Sequence, residues 1–141
     1  FTERVSSVHG EKGLEIFLRA HGVNHAKAVV ASTGWGGDRM AVYAPITHEG
    51  SRTKSTIGVS LSSWDDETDA IEYFEALEDA LPRFAGKSQV KRTDGVLHFG
   101  IGATGAVQAE RRGQQVLIVI DAPKTTADAL RLELWDSWTV K

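Results

Sequence analysis

The chain has 141 residues, a formal net charge of −3, 41% apolar and 25% charged residues, the proportions of one folded domain rather than a disordered segment. Its 16 Lys and Arg stand against 19 Asp and Glu without forming a basic stripe, which argues against nucleic acid or an anionic membrane surface as a partner. There is no cysteine, which excludes disulfide frameworks, zinc–thiolate sites and cysteine nucleophiles, and no apolar run approaches the roughly 20 residues of a transmembrane segment.

The chain starts at Phe1 rather than Met, so the expectation is a processed product or a fragment whose targeting segment is gone. Residues 1–10 are polar and weakly patterned and read as an N-terminal arm. A single domain is expected over 11–141. From Glu11 the period becomes helical, with Leu14, Phe17, Leu18 and His21 on one stripe. Gly22 stops that helix, and Asn24 is a good N-cap for a second, short one carrying Ala28, Val29 and Ala31. A glycine-rich turn over Thr33–Asp38 follows. Arg39–Ala44 and Ile57–Ser62 then alternate with the period of strands and are expected to pair as a hairpin, with a polar loop over 47–53 between them.

The clearest helix carries Ala70, Phe74, Leu77, Leu81 and Phe84, with Glu72, Glu75, Glu78 and Asp79 on its opposite face. Asp65 or Asp66 caps its start, and the early carboxylates suit the positive end of the helix dipole. Gly86 closes it. Val96–Ile101, Ala106–Arg111 and Gln115–Ile120 read as three further strands, the last apolar on both faces and therefore central. Thr125 with Asp128 has the spacing of a capping box for a final helix marked by Leu130, Leu134 and Trp138. The expected architecture is α+β, a mostly antiparallel sheet of about five strands with helices packed on it.

Several patterns bear on chemistry. Gly100–Gly105 matches G-x-G-x-x-G letter for letter. A dinucleotide loop needs a helix after it, and the next apolar strand follows too soon for a crossover, so a turn is expected. His21 and His25 have the H-x-x-x-H spacing of a metal pair, but Gly22 and Asn24 intervene and no third ligand stands nearby. Asp65, Asp66, Glu67 and Asp69 lack the spacing and central glycine of an EF-hand loop. No metal and no cofactor are expected, and no catalytic residue is assigned.

The element that stands out is Trp35-Gly36-Gly37-Asp38-Arg39. Its structural reading is a tight helix-to-strand turn plugged by Trp35. Its functional reading is a binding surface formed by Trp35, Gly36, Gly37, Asp38 and Arg39 together with Trp64 and Asp65, the two indoles lying close together. Gly10-Glu11, Leu14, Leu18, Ala28, Ala31, the run Gly34–Arg39, Trp64-Asp65, Asp69-Ala70 and Phe74 together resemble the C-terminal region of a group of predicted exported prokaryotic proteins. Many of these carry a zinc-metallopeptidase-like H-E-x-x-H helix upstream. The likeness covers mainly residues 10–75, and the peptidase motif has no counterpart here. The resemblance implies an accessory domain of a larger parent polypeptide, or a relative without the peptidase half, in an extracytoplasmic setting.

The functional expectation is a non-catalytic binding or accessory module of an exported bacterial protein with a protein partner. Two alternatives stand beside it. One is a small metal-dependent hydrolase using His21, His25 and Asp38. The other is a structural subunit of a cell-envelope assembly, joined through the sheet edge or the acidic helix.

Overall fold

In the computed structural model the described residues are 2–44, 56–84, 90–93, 95–101, 105–123 and 125–139. Pro45, His48, Gly50, Gly86 and the centre of the G-x-G-x-x-G run, with the loop expected over 47–53, lie outside them. Strand β1 (Thr2–Ser7) comes first, then helices α1 (Gly10–Ala20) and α2 (His25–Ser32) and the hairpin strands β2 (Trp35–Ala44) and β3 (Ile57–Trp64). Helix α3 (Glu67–Phe84) leads to strands β4 (Val90–Thr93), β5 (Val96–Ile101), β6 (Gly105–Arg112) and β7 (Gln115–Ala122), and α4 (Ala127–Ser137) ends the series. The expected α+β class and antiparallel sheet hold. The described sheet has seven strands rather than about five, in the order β1-β2-β3-β7-β6-β5-β4, every ladder antiparallel.

The two strands missing from the expectation are the two edges. The segment expected as an arm is β1, which pairs with β2 from Thr2↔Ala44 to Ser7↔Met40. Among the described strands β4 pairs only with β5. Edge strands bury little and so carry little apolar alternation, which is why pattern alone passes over them. β7 sits in the middle, as its two apolar faces required: Val116 and Ile118 face one helical layer, Leu117 and Val119 the other.

Helices cover both faces. α1, α2 and α3 pack on one side around Leu14, Leu18, Ala28, Leu77, Leu81, Val107 and Val116. α4 packs on the other against Val59, Leu61, Leu117 and Val119 through Leu134 and Trp138. The length of α3 follows from the topology. It carries the chain from β3 to the far edge at β4, four strand spacings or about 19 Å, and its 18 residues rise about 27 Å. Asp66 caps it, its Oδ1 accepting from Asp69 N at 2.8 Å. Asn24 caps α2 in the same way, accepting from Lys27 N at 2.9 Å. Ala28 and Ala31 are buried as expected, but Val29 points outward at 39% exposure. No helix among the described residues is long and apolar enough to cross a membrane.

Candidate functional site

Trp35–Arg39 is not a turn before the strand but the start of β2 itself. Trp35 lies opposite Trp64, and the register shifts between Trp35 and Gly37, a bulge that puts Trp35 on the same sheet face as Asp38. Asp38 is only 6% exposed. Its Oδ2 accepts from His9 N at 2.8 Å, and its Oδ1 accepts from Gly10 N at 3.0 Å and from Trp35 Nε1 at 3.0 Å. The residue at the N-cap position of α1, His9, makes no side-chain cap bond. Asp38 does that work from a neighbouring strand, placing a negative charge at the positive end of the helix. Beside it, burial first and then the Asp38 charge push the Tyr73 phenol well above its ordinary value.

Trp64 and the backbone around Gly34, Gly36 and Asp65 complete this corner, with Gly36 and Asp65 themselves exposed. Trp64, at 2% exposure, stacks on Tyr73 with ring centroids 4.7 Å apart and donates from Nε1 to Ser62 Oγ at 3.0 Å. Asp65 N donates to Gly34 O at 2.8 Å. Gly34 has φ +85°, and a Cβ there would run into the Asp69 carboxylate. A Cβ on Gly36 would stand 3.3 Å from Ser63 O. Gly37 is buried. The structure therefore brings Trp35, Gly36, Gly37, Asp38, Trp64 and Asp65 together at one end of the sheet, and it spends the polar atoms of Asp38, Trp35 and Trp64 on internal bonds.

Arg39 is not part of that group. Successive strand residues face opposite sides of a sheet, so Arg39 lies on the α4 face. There it pairs with Glu3 at 3.0 Å and stacks over Trp138 at 4.2 Å from the ring centroid. The expected joint surface of Asp38 and Arg39 is divided by the sheet. His21 and His25 are divided too. His21 follows α1, with Nδ1 2.8 Å from Phe17 O and its ring against Phe17 and Phe84, while His25 opens α2 and is exposed. Gly100–Gly105 joins β5 to β6, which pair antiparallel up to Ile101↔Gly105. A strand, not a helix, follows Gly105, so the pyrophosphate geometry of a dinucleotide loop is excluded.

Among the described residues the densest polar cluster lies elsewhere, between α4 and strands β5 and β6. Arg131, at 9% exposure, donates from Nε to Glu110 Oε2 at 3.0 Å and from Nη1 to Asp128 Oδ1 at 3.0 Å and Gln108 Oε1 at 3.3 Å. Glu110 also accepts from Trp135 Nε1 at 2.7 Å and from Arg112 Nε at 3.1 Å. Gln108 Nε2 lies 3.0 Å from Asp128 Oδ1 and 3.2 Å from His98 Nδ1. A cleft of about 390 Å³ opens beside this network, lined by Lys91, Thr93, Val96, His98, Asp128 and Arg131. A second cleft of about 370 Å³, on the same sheet face, lies between α4 and the β2–β3 hairpin and is bordered by Tyr43, Ile57, Leu130, Leu134 and Trp138.

A family model described as a domain of unknown function, DUF8575, matches residues 2–131. The chain belongs to the DUF8575 family. The DUF8575 match takes in all seven strands and reaches Arg131 inside α4, so both the Asp38 corner and most of the Arg131 network fall within it. No curated protein matches the chain, and no solved structure does.

The network of this DUF8575 chain was not found by sequence reasoning, although it left a signal. Gln108 and Glu110 are two polar residues at i, i+2 on one strand face, and Asp128, Arg131 and Trp135 recur at i, i+3, i+7 on one helix face. The spacing of Thr125 and Asp128 points instead to a capping box. That reading is corrected: the N-cap is Thr126, without a side-chain cap bond, and the Asp128 carboxylate is held by Gln108 and Arg131.

Proposed function

We propose that this chain is a non-catalytic binding module, with the Lys91–His98–Arg131 cleft as its contact surface. The observation that carries the reading is the state of His98. Its Nδ1 faces the amide of Gln108 rather than a carboxylate. An imidazole spending its Nδ1 lone pair in this way offers a ring N–H as a recognition group, and among the described residues it has no acidic orienting partner of the kind a general base uses. Arg131 is likewise fixed by its partners, a preorganised contact that loses little freedom on binding. The residues first expected to form the surface, Trp35, Asp38 and Trp64, act in this reading as the frame that joins α1 to the sheet.

The resemblance carried by Gly34–Arg39, Trp64-Asp65 and Asp69-Ala70 supports an exported bacterial setting and a larger parent polypeptide bearing the protein partner. Titration of the ¹⁵N-labelled chain with a fragment mixture of acids, amines and neutral aromatics tests the binding reading. Amide shifts gathered on residues 96–98 and 128–131 are expected. Shifts gathered at the Tyr43–Trp138 cleft instead, or none at all, would remove this surface.

One observation favours a second reading, a subunit that joins neighbours through the sheet edge. Edge strand β1 carries Val5 at 57% exposure, and Val8 just after it is 59% exposed. Sedimentation showing a monomer at high concentration would eliminate self-assembly by this route.

A further inference from the structure

The hydrogen-bond directions around His98 fix what the cleft presents to a ligand. A guanidinium only donates. The Gln108 atom facing Arg131 Nη1 is therefore Oε1, and the amide nitrogen of Gln108 is left to donate to Asp128 Oδ1 and to His98 Nδ1. His98 Nδ1 then accepts, and the neutral ring carries its proton on Nε2. β5 lies between β6, which bears Gln108, and β4, which bears Lys91 directly opposite His98. With Nδ1 turned toward β6, the Nε2–H is turned away from it, to the side where Lys91 stands.

The cleft thus gathers donors. They are the Lys91 ammonium on an exposed edge strand, the His98 Nε2–H, the Thr93 hydroxyl and the guanidinium of Arg131, whose Nη2 has no partner among the described residues. Around the network three cations, Lys91, Arg112 and Arg131, stand against two carboxylates, Glu110 and Asp128. Both carboxylates are already engaged by Arg131. Glu110 has both oxygens bonded, and Asp128 Oδ1 takes two donors. We propose that this cleft receives an oxyanion, a carboxylate or a phosphate, held between a fixed guanidinium edge, a tautomer-fixed imidazole and an exposed lysine. Charge-assisted bonds to such donors are short and strong, and a rigid arginine loses little freedom in making them. Val96 supplies the apolar wall beside the charged end, which suits an acid with a short hydrocarbon stem. The proposal rests on the binding-module reading and adds the class of ligand to it.

The test is a ¹⁵N-edited NMR titration of the full chain, in a buffer free of phosphate and carboxylate, with four separate probes: inorganic phosphate, succinate, acetamide and methylammonium. Phosphate or succinate is expected to move the amides of 96–98 and 128–131 with a Kd in the millimolar range or tighter, and whichever binds more tightly identifies the source of the oxyanion. Lys91→Ala and His98→Phe should each weaken that binding about fivefold or more, and added sodium chloride should weaken it further. Lys91 is exposed, so Lys91→Ala keeps the fold and its loss of binding is read directly. Movement of the same amides by acetamide or methylammonium but by neither anion overturns the oxyanion and leaves the binding module standing. Anion binding that Lys91→Ala and His98→Phe leave unchanged also overturns it. Silence of these amides with every probe removes both readings.

Discussion

Asp38 holds the indole Nε1 of Trp35 at 3.0 Å and, with the same carboxylate, the first backbone amides leading into α1. One buried side chain thus closes a helix terminus, orients a tryptophan and ties both to the β2 bulge. Asp38→Ala removes the acceptor of three donors at once. Leaving buried donors unpaired costs about 1–3 kcal/mol, and loss of a cap about 1 kcal/mol. A loss of about 2–4 kcal/mol in urea unfolding is expected, with a smaller loss for Asp38→Asn, which keeps one oxygen. A variant within about 0.5 kcal/mol of wild type, the range of an ordinary surface change, would show that the cap is dispensable.

Gly34 and Asp69 give a sharper test of the same corner. Gly34→Ala forces a left-handed residue to carry a Cβ, at about 1–2 kcal/mol, and drives that Cβ into the Asp69 carboxylate. The double variant Gly34→Ala/Asp69→Ala should recover the steric part and leave only the backbone part. Equal unfolding free energies for the single and double variants would rule out the contact.

The expectations for the fold were most accurate where one face was buried. Ile57, Val59 and Leu61 are buried as their alternation required, and β7 is central because it is apolar on both sides. The edges β1 and β4 were missed because Glu3, Val5, Ser6, Lys91, Arg92 and Thr93 are all exposed and leave no burial pattern to read. For the site, the sequence pointed at Trp35–Arg39 through its rare composition. Composition does not show that a bulge would bring Trp35 onto the face of a buried Asp38 while the strand period sent Arg39 to the other face. The Arg131 network stayed hidden because its members come from β5, β6 and α4, and only tertiary pairing brings His98, Gln108 and Asp128 within bonding distance.

Arg131 and Glu110 form a pair with side chains 11% and 12% exposed. Breaking such a pair from one side leaves an uncompensated charge, and Arg131→Ala should cost about 3 kcal/mol. Glu110 keeps Trp135 and Arg112, which holds the value at the lower end of the range. A double-mutant cycle of Arg131→Met with Glu110→Gln should return a coupling of about 1–3 kcal/mol. Additive losses would mean that the two side chains stabilise the fold independently.

Tyr73 sets a limit at alkaline pH. Its phenol is buried at 1% exposure and raised above its ordinary value, by burial first and by Asp38 second. Below about pH 10 both folded and unfolded chains keep the proton, so Tyr73 adds no pH dependence. Above it the unfolded chain releases the proton first, the folded chain holds more protons, and stability falls as pH rises. Wild type should lose up to about 1.4 kcal/mol per pH unit relative to Tyr73→Phe in that range. Parallel stability curves for the two proteins from pH 9 to about pH 11 would contradict this burial.

The ladder between β3 and β7 is the one in the described sheet that joins strands not consecutive in the chain. On either side of it the strands follow one another, β1 to β3 on one flank and β4 to β7 on the other. A backbone nick between Phe84 and Val90 would therefore divide the protein into two pieces, each with its own hairpin register and each with a bare oily rim, Val59 and Leu61 on one, Leu117 and Val119 on the other. Neither piece can hide its rim alone, so the nicked halves should behave as a split pair that recovers its structure by finding its complement.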